Sequence, residues 1–193
     1  MNQFLTRTLF ASLFVLAGSQ GSALAQESTS GDARVTDVAP LDSIRNYHHI
    51  SADLMTGGQV GYDQVPLLKS EGIQTVINLA TASEEYNAME GFHVTSAGMT
   101  YVQIPVVWSE PSLDDLDQFF EVMKANDGRK LFVHCIANMR ASAFIYLYRV
   151  LVDGVDESDA LEDLHAVWNP VEYEQWQQLI DDALASPRFL EKN

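Results

Sequence analysis

The stretch that most restricts the fold is KLFVHCIANMRASAFIYLYRVL, residues 130–151. Its first part, Lys130-Leu131-Phe132-Val133-His134, is a short apolar run of the kind found in strands covered on both faces. Its last part, residues 141–151, is apolar nearly all round a helix and so must be central and buried. A buried strand that turns within a few residues into a buried helix requires a layer on either side of it. The reading is an α/β fold, with a mostly parallel central sheet flanked by helices.

The rest of the chain supplies the other layers. Residues 50–55 read as a short first strand ending at Gly57-Gly58, and residues 62–70 as a short helix stopped by Gly72. Residues 73–79 (IQTVINL) and 100–107 (TYVQIPVV) read as strands, separated by a weaker helix over 83–97 with Ser83 as N-cap. Residues 112–126 form an amphipathic helix with Leu113, Leu116, Phe119, Phe120 and Met123 on one face. Ser112 caps it, and Asp114 and Asp115 complement its positive start. A helical C-terminal part follows over 158–168 and from Asn169-Pro170 to about residue 185.

The first segment is not expected to belong to the fold. Arg7 precedes the apolar residues 9–18, which are too few to span a bilayer, and Ala23-Leu24-Ala25 offers a small-x-small cleavage site. Residues 1–25 therefore read as a signal peptide cleaved after Ala25. Residues 26–40 are polar and aperiodic, a flexible tether, and residues 41–193 form one domain. The expected destination is the periplasm or the outside of the cell, with no stable membrane insertion after cleavage. With 11 basic against 27 acidic residues and a net charge of −16, nucleic acid is not an expected partner. Oligomeric state is not legible.

The chain has one cysteine, so it can form no internal disulfide and no zinc cluster. Cys135 sits where strand becomes loop, and the loop Ile136, Ala137, Asn138, Met139 leads through Arg140 into the buried helix. A turn entering a helix offers backbone N–H groups to an anion and favours a thiolate. A guanidinium can grip two oxygens of the same anion and stays charged.

VHCIANMRAS, residues 133–142, resembles the phosphate-binding loop of the cysteine-based protein tyrosine phosphatases, whose pattern is His-Cys, five residues, Arg, then Ser or Thr. LMTGGQVGYDQVPLLKSEGIQTVINLA resembles the opening of the compact dual-specificity-type members, and TYVQIPVVWSEPS their strand and acid loop. Only four residues separate Cys135 from Arg140, and two alignments follow. In one a loop residue is deleted and Arg140 is the phosphate arginine. In the other nothing is deleted: Asn138 replaces the usual glycine, Ala141 occupies the arginine position, and Arg140 is shifted by one. Asn is the most tolerant substitute for a left-handed glycine. Four-residue spacing also resembles rhodanese-like sulfurtransferases and a bacterial branch related to the beta-lactamase-hydrolase-like proteins.

The resemblance implies a phosphatase that forms a phosphocysteine on Cys135 and needs no cofactor and no metal. Residues 136–141 and Arg140 would bind phosphate, Ser142 would donate to the thiolate, and His134 would orient the loop. Glu110, in Trp108-Ser109-Glu110, takes the general-acid position, with Asp114 and Asp115 as alternatives. The substrate would be a phosphorylated molecule of undetermined class, phosphotyrosine included. The rival readings are a phosphate- or sulfate-binding pseudophosphatase and a rhodanese-like sulfurtransferase. Trp168, Tyr173 and Trp176 read as core rather than as a ligand cage. The adjacent His48-His49 pair lacks metal-site spacing, and the acidic groups at 153–163 read as a solvated face.

Overall fold

A computed structural model describes residues 39–190. The expected signal peptide, its cleavage site and most of the tether lie outside the described residues. Five strands form one sheet in the order β1 (His48–Ser51), β2 (Leu54–Gly57), β5 (Leu131–His134), β3 (Thr75–Asn78), β4 (Thr100–Gln103). The pairs β2·β5, β5·β3 and β3·β4 are parallel, and only β1 runs antiparallel to its neighbour. This is the mostly parallel α/β sheet expected.

The single strand expected at 50–55 is instead the middle of a hairpin. Ala52-Asp53 forms its turn, and the register shifts between His49 and Ser51. The mixed polar sequence HHISADLM conceals two four-residue strands on either side of that turn. The other strands are shorter than the apolar runs that announce them, because pairing ends where the neighbouring strand ends.

All four residues of β3 and of β5 are buried, and their side chains alternate between two apolar layers. Ile77 and Val133 join a cluster with helices α3 (Leu113–Ala125), α4 (Met139–Leu151) and α6 (Glu174–Ala185), while Val76 and Phe132 join Leu68 of α1 (Val65–Ser70) and Val94 of α2 (Glu90–Ser96). Helix α4 is buried along almost its whole length and packs against α3, α5 (Glu157–Val167) and α6. A last short helix, α7 (Pro187–Leu190), brings Arg188 to Asp114 and Asp117 of α3.

Helix α3 begins with a capping box. Ser112 Oγ accepts from the Asp115 N–H, and the Asp115 carboxylate accepts from the Ser112 N–H. Ser112→Ala is expected to lower unfolding free energy by about 1 kcal/mol in a urea melt, with an unchanged slope. Helix α2 starts at Glu90, well after the expected Ser83, because residues 84–89 form turns instead. Asn169 does cap Pro170, but only a short 3-10 turn, Pro170–Glu172, before α6 begins afresh at Glu174. Near α5, the Asp163 carboxylate is tied to both Arg149 and His48 rather than simply solvated.

Candidate active site

Strand β5 is central, so Cys135 emerges at the carboxyl edge of the sheet, where ligands of open α/β sheets bind. Three contacts fix the loop that follows. The Cys135 N–H donates to the Gly57 carbonyl, the Gln59 N–H donates to the Ile136 carbonyl at 3.2 Å, and Asn46 Nδ2 donates to the Ala137 carbonyl at 3.0 Å. The loop passes so near the backbone after β2 that a Cβ at Gly58 would lie 2.8 Å from the Ile136 carbonyl oxygen. That is the use of the second glycine in LMTGG.

Asn138 has φ 65° and ψ −5°, the left-handed conformation that the gap-free alignment requires at its glycine position. Its side chain offsets that strain: Nδ2 donates to the Asn46 carbonyl at 2.6 Å and to Thr56 Oγ1 at 2.9 Å. Asn138→Gly is expected to cost about 1 kcal/mol through the lost hydrogen bonds. Asn138→Val should cost at least about 1 kcal/mol more, since a β-branched residue resists a positive φ. Thermal melts of the two variants check the order.

The first α4 hydrogen bond runs from the Ser142 N–H to the Asn138 carbonyl. Among the described residues the N–H groups of Ile136, Ala137, Met139, Arg140 and Ala141 have no acceptor. With the Ile136 and Ala137 carbonyls tied to Gln59 and Asn46, these N–H groups are left for an anion. Ala141 itself is fully buried. Beside them lies a cleft of about 330 Å³ lined by Trp108, Cys135, Ile136, Ala137, Met139, Arg140 and Tyr173. Arg140 therefore reaches the same cleft as Cys135 despite its shifted position. Its guanidinium carbon is 5.6 Å from the Trp108 ring centre, and its buried Nε has no hydrogen-bond partner among the described residues.

The family model described as DSP-PTPase phosphatase fused to NAD+ kinase matches residues 33–183. The chain belongs to this dual-specificity-type family of the cysteine-based phosphatase superfamily. A solved DUF442 protein from Shewanella putrefaciens CN-32 is 36% identical, covers 77% of this chain and 96% of its own, and superposes with a TM-score of 0.68. Two more distant structures share the fold. One is TpbA from P. aeruginosa in complex with pTyr, at 16% identity, 77% and 91% coverage, and a TM-score of 0.61. The other is PTPMT1 in complex with PI(5)P, at 19% identity, 72% and 96% coverage, and a TM-score of 0.55. No curated protein matches the sequence.

Within this phosphatase family's loop, some expected residues take other places. The Ser142 hydroxyl donates to the Asn138 carbonyl at 2.8 Å and accepts from Trp168 Nε1 at 3.1 Å, so its proton is turned toward the helix rather than toward Cys135. A serine in the first helical turn readily bonds back to the carbonyl four residues earlier. Glu110 is exposed in a turn closed by its N–H to the Val107 carbonyl, and its side chain is outside the cleft lining. Asp114 is paired with Arg188, and Asp115 belongs to the capping box.

His134 points away from the cleft. Its Nδ1 is 3.3 Å from the Cys135 carbonyl oxygen, and its Nε2 is 2.7 Å from Glu90 Oε1, with both side chains fully buried. The second contact is close but bent away from ideal hydrogen-bond geometry. Sequence reasoning missed Glu90, and the available signal was indirect. Asn78 lies inside the run IQTVINL, just before Leu79, and a polar residue at 0% exposure must find a partner inside. Tyr173 was also missed. Of the three aromatics read as core, Trp176 is fully buried, whereas Tyr173 stands 36% exposed at the start of α6 and forms part of the cleft wall. Its ring packs edge-on against Trp108 at 5.2 Å.

Proposed function

We propose that this chain is an exported, cysteine-dependent phosphatase that hydrolyses phosphate monoesters through a phosphocysteine on Cys135. The observation that carries the reading is one cleft holding Cys135, the unpaired loop N–H groups and an Arg140 guanidinium with no carboxylate partner among the described residues. The N–H groups and Arg140 hold the phosphate oxygens. Cys135 Sγ forms a bond to phosphorus as the bond to the leaving oxygen breaks. Water then attacks the phosphocysteine, releasing phosphate and restoring the thiolate.

Glu110 is assigned the proton for the leaving oxygen, because it is the one carboxylate of this segment not tied into a cap or ion pair among the described residues. Glu110→Gln is expected to slow an alkyl phosphate at least about tenfold more than p-nitrophenyl phosphate, whose phenolate leaves without a proton. Equal losses on both would move the role to another residue.

The cleft walls favour a substrate with a single phosphate on an apolar or aromatic body. Trp108, Tyr173, Ile136 and Met139 offer apolar surface, and Arg140 is the only Lys or Arg in the lining. Of the ligands seen with the two distant relatives, phosphotyrosine suits such walls better than a phosphoinositide. The apolar N-terminal stretch and Ala23-Leu24-Ala25 support export, which N-terminal sequencing of the mature protein tests.

The reaction is tested by offering the purified protein p-nitrophenyl phosphate and, separately, thiosulfate with cyanide. Phosphate release is expected. Thiocyanate without phosphate release would identify a sulfurtransferase, the activity that four-residue spacing also fits. Silence in both assays with retained phosphate binding would identify an anion-binding module.

A further inference from the structure

We propose that Glu90 is the positioning residue of the Cys135 loop: it holds a proton against His134 Nε2 and, through Gln59, braces the backbone on the other side of the nucleophile. The inference rests on the reading of Cys135 as the nucleophile. Glu90 has no place in the chemistry above, yet it is a carboxylate at 0% exposure, an arrangement that is costly unless every oxygen is matched. Its Oε2 accepts from Asn78 Nδ2 at 2.9 Å and from Gln59 Nε2 at 3.1 Å. Gln59 in turn donates its main-chain N–H to the Ile136 carbonyl, one residue beyond Cys135. Glu90 Oε1 and His134 Nε2 face each other at 2.7 Å, bent from ideal hydrogen-bond geometry, and neither has a hydrogen-bond partner elsewhere among the described residues. One side chain on α2 thus reaches the carbonyls of both Cys135 and Ile136, the first by way of His134 and the second by way of Gln59. Tyr101 closes the network as a neutral phenol bonded to Asn78. Burial first, and then the nearby Glu90 charge, hold its ionisation well above the ordinary tyrosine range.

Hydrogen-bond logic fixes the proton count. Nδ1 faces a carbonyl, which can only accept, so Nδ1 carries a hydrogen. Nε2 faces a carboxylate oxygen, so a second proton lies between the two groups. A glutamine at this position would satisfy the packing but not that count. Its amide oxygen would stay with the two donors from Asn78 and Gln59, and its NH2 would face His134, which would turn Nε2 into an acceptor. Glu90→Gln therefore removes one proton from behind the nucleophile while keeping the shape of the site.

The experiment uses the 15N-labelled mature protein. The wild-type spectrum is expected to show two exchange-protected His134 ring N–H signals. Glu90→Gln should lose the Nε2–H signal and keep the other, with a melting temperature close to that of the wild type. The same variant should alkylate Cys135 with iodoacetamide about tenfold more slowly, and kcat on p-nitrophenyl phosphate should fall by a similar factor with KM nearly unchanged. A single His134 ring N–H in the wild type overturns the proposal, and this result does not require the variant to fold. Alkylation and kcat within twofold of wild type in folded Glu90→Gln also overturn it. If both signals and the alkylation difference are found in a protein without Cys135-dependent turnover, the phosphatase reading fails while the role of Glu90 stands.

Discussion

Cys135→Ser is expected to reduce phosphate release from p-nitrophenyl phosphate by at least about a thousandfold. The exchange replaces one sulfur by oxygen at a side chain that is 1% exposed, so the shape of the loop should change little. What changes is the nucleophile. A thiolate is accessible near neutral pH and attacks phosphorus directly, whereas a serine needs a base to take its proton. No such base is in place: His134 turns its ring toward Glu90, and no histidine is among the residues lining the cleft. The loop N–H groups and Arg140 remain, so the variant should still bind inorganic phosphate with an affinity within severalfold of the wild type. Phosphate release measured beside calorimetric phosphate binding separates the two effects. Substantial residual turnover by the serine variant would mean that Cys135 is not the attacking group.

Arg140→Ala should be nearly as damaging to kcat/KM, about a thousandfold, and should also weaken phosphate binding, which the serine variant should not. Arg140 is the only cationic side chain of the cleft, so its removal leaves backbone N–H groups to hold a doubly charged ligand alone. Arg140→Lys restores charge without the planar fork and should fall between the two. Stability points the other way. Arg140 is 9% exposed and its Nε lacks a partner among the described residues, so truncation removes an unsatisfied buried group along with the stacking on Trp108. The melting temperature is therefore expected to change by only a few degrees. Unchanged phosphate binding in Arg140→Ala would show that the loop amides alone make the anion site.

Much of this was written locally in the sequence. IQTVINL and KLFVH announce strands buried on both faces because adjacent apolar residues, Val76-Ile77 and Leu131-Phe132-Val133, place apolar side chains on both sides instead of alternating with polar ones. Ser112 and Asp115 announce a helix start because the capping partners are three residues apart. Asn138 announces a left-handed turn because few other non-glycine residues tolerate one. The misreadings have one cause, which is that they depend on contacts distant in sequence. The hairpin at His48–Gly57 is specified by pairing of β2 with β5, about eighty residues away. Glu90 looks like any surface acid between Met89 and Gly91 until α2 folds onto the sheet and closes on His134. Tyr173 becomes a wall of the cleft only when α6 brings it against Trp108. The Ser142 hydroxyl oxygen likewise accepts from a partner distant in sequence, Trp168, just past the end of α5.

Cys135 is also the only sulfhydryl in the molecule, and it lines the cleft beside Arg140. A thiol-directed reagent small enough to enter that cleft is therefore a stoichiometric counter of competent sites in the folded protein. The mass added per chain gives the fraction of the preparation able to react, and protection by bound phosphate gives occupancy without a coupled assay. Rates from different preparations or variants can then be expressed per working molecule rather than per milligram.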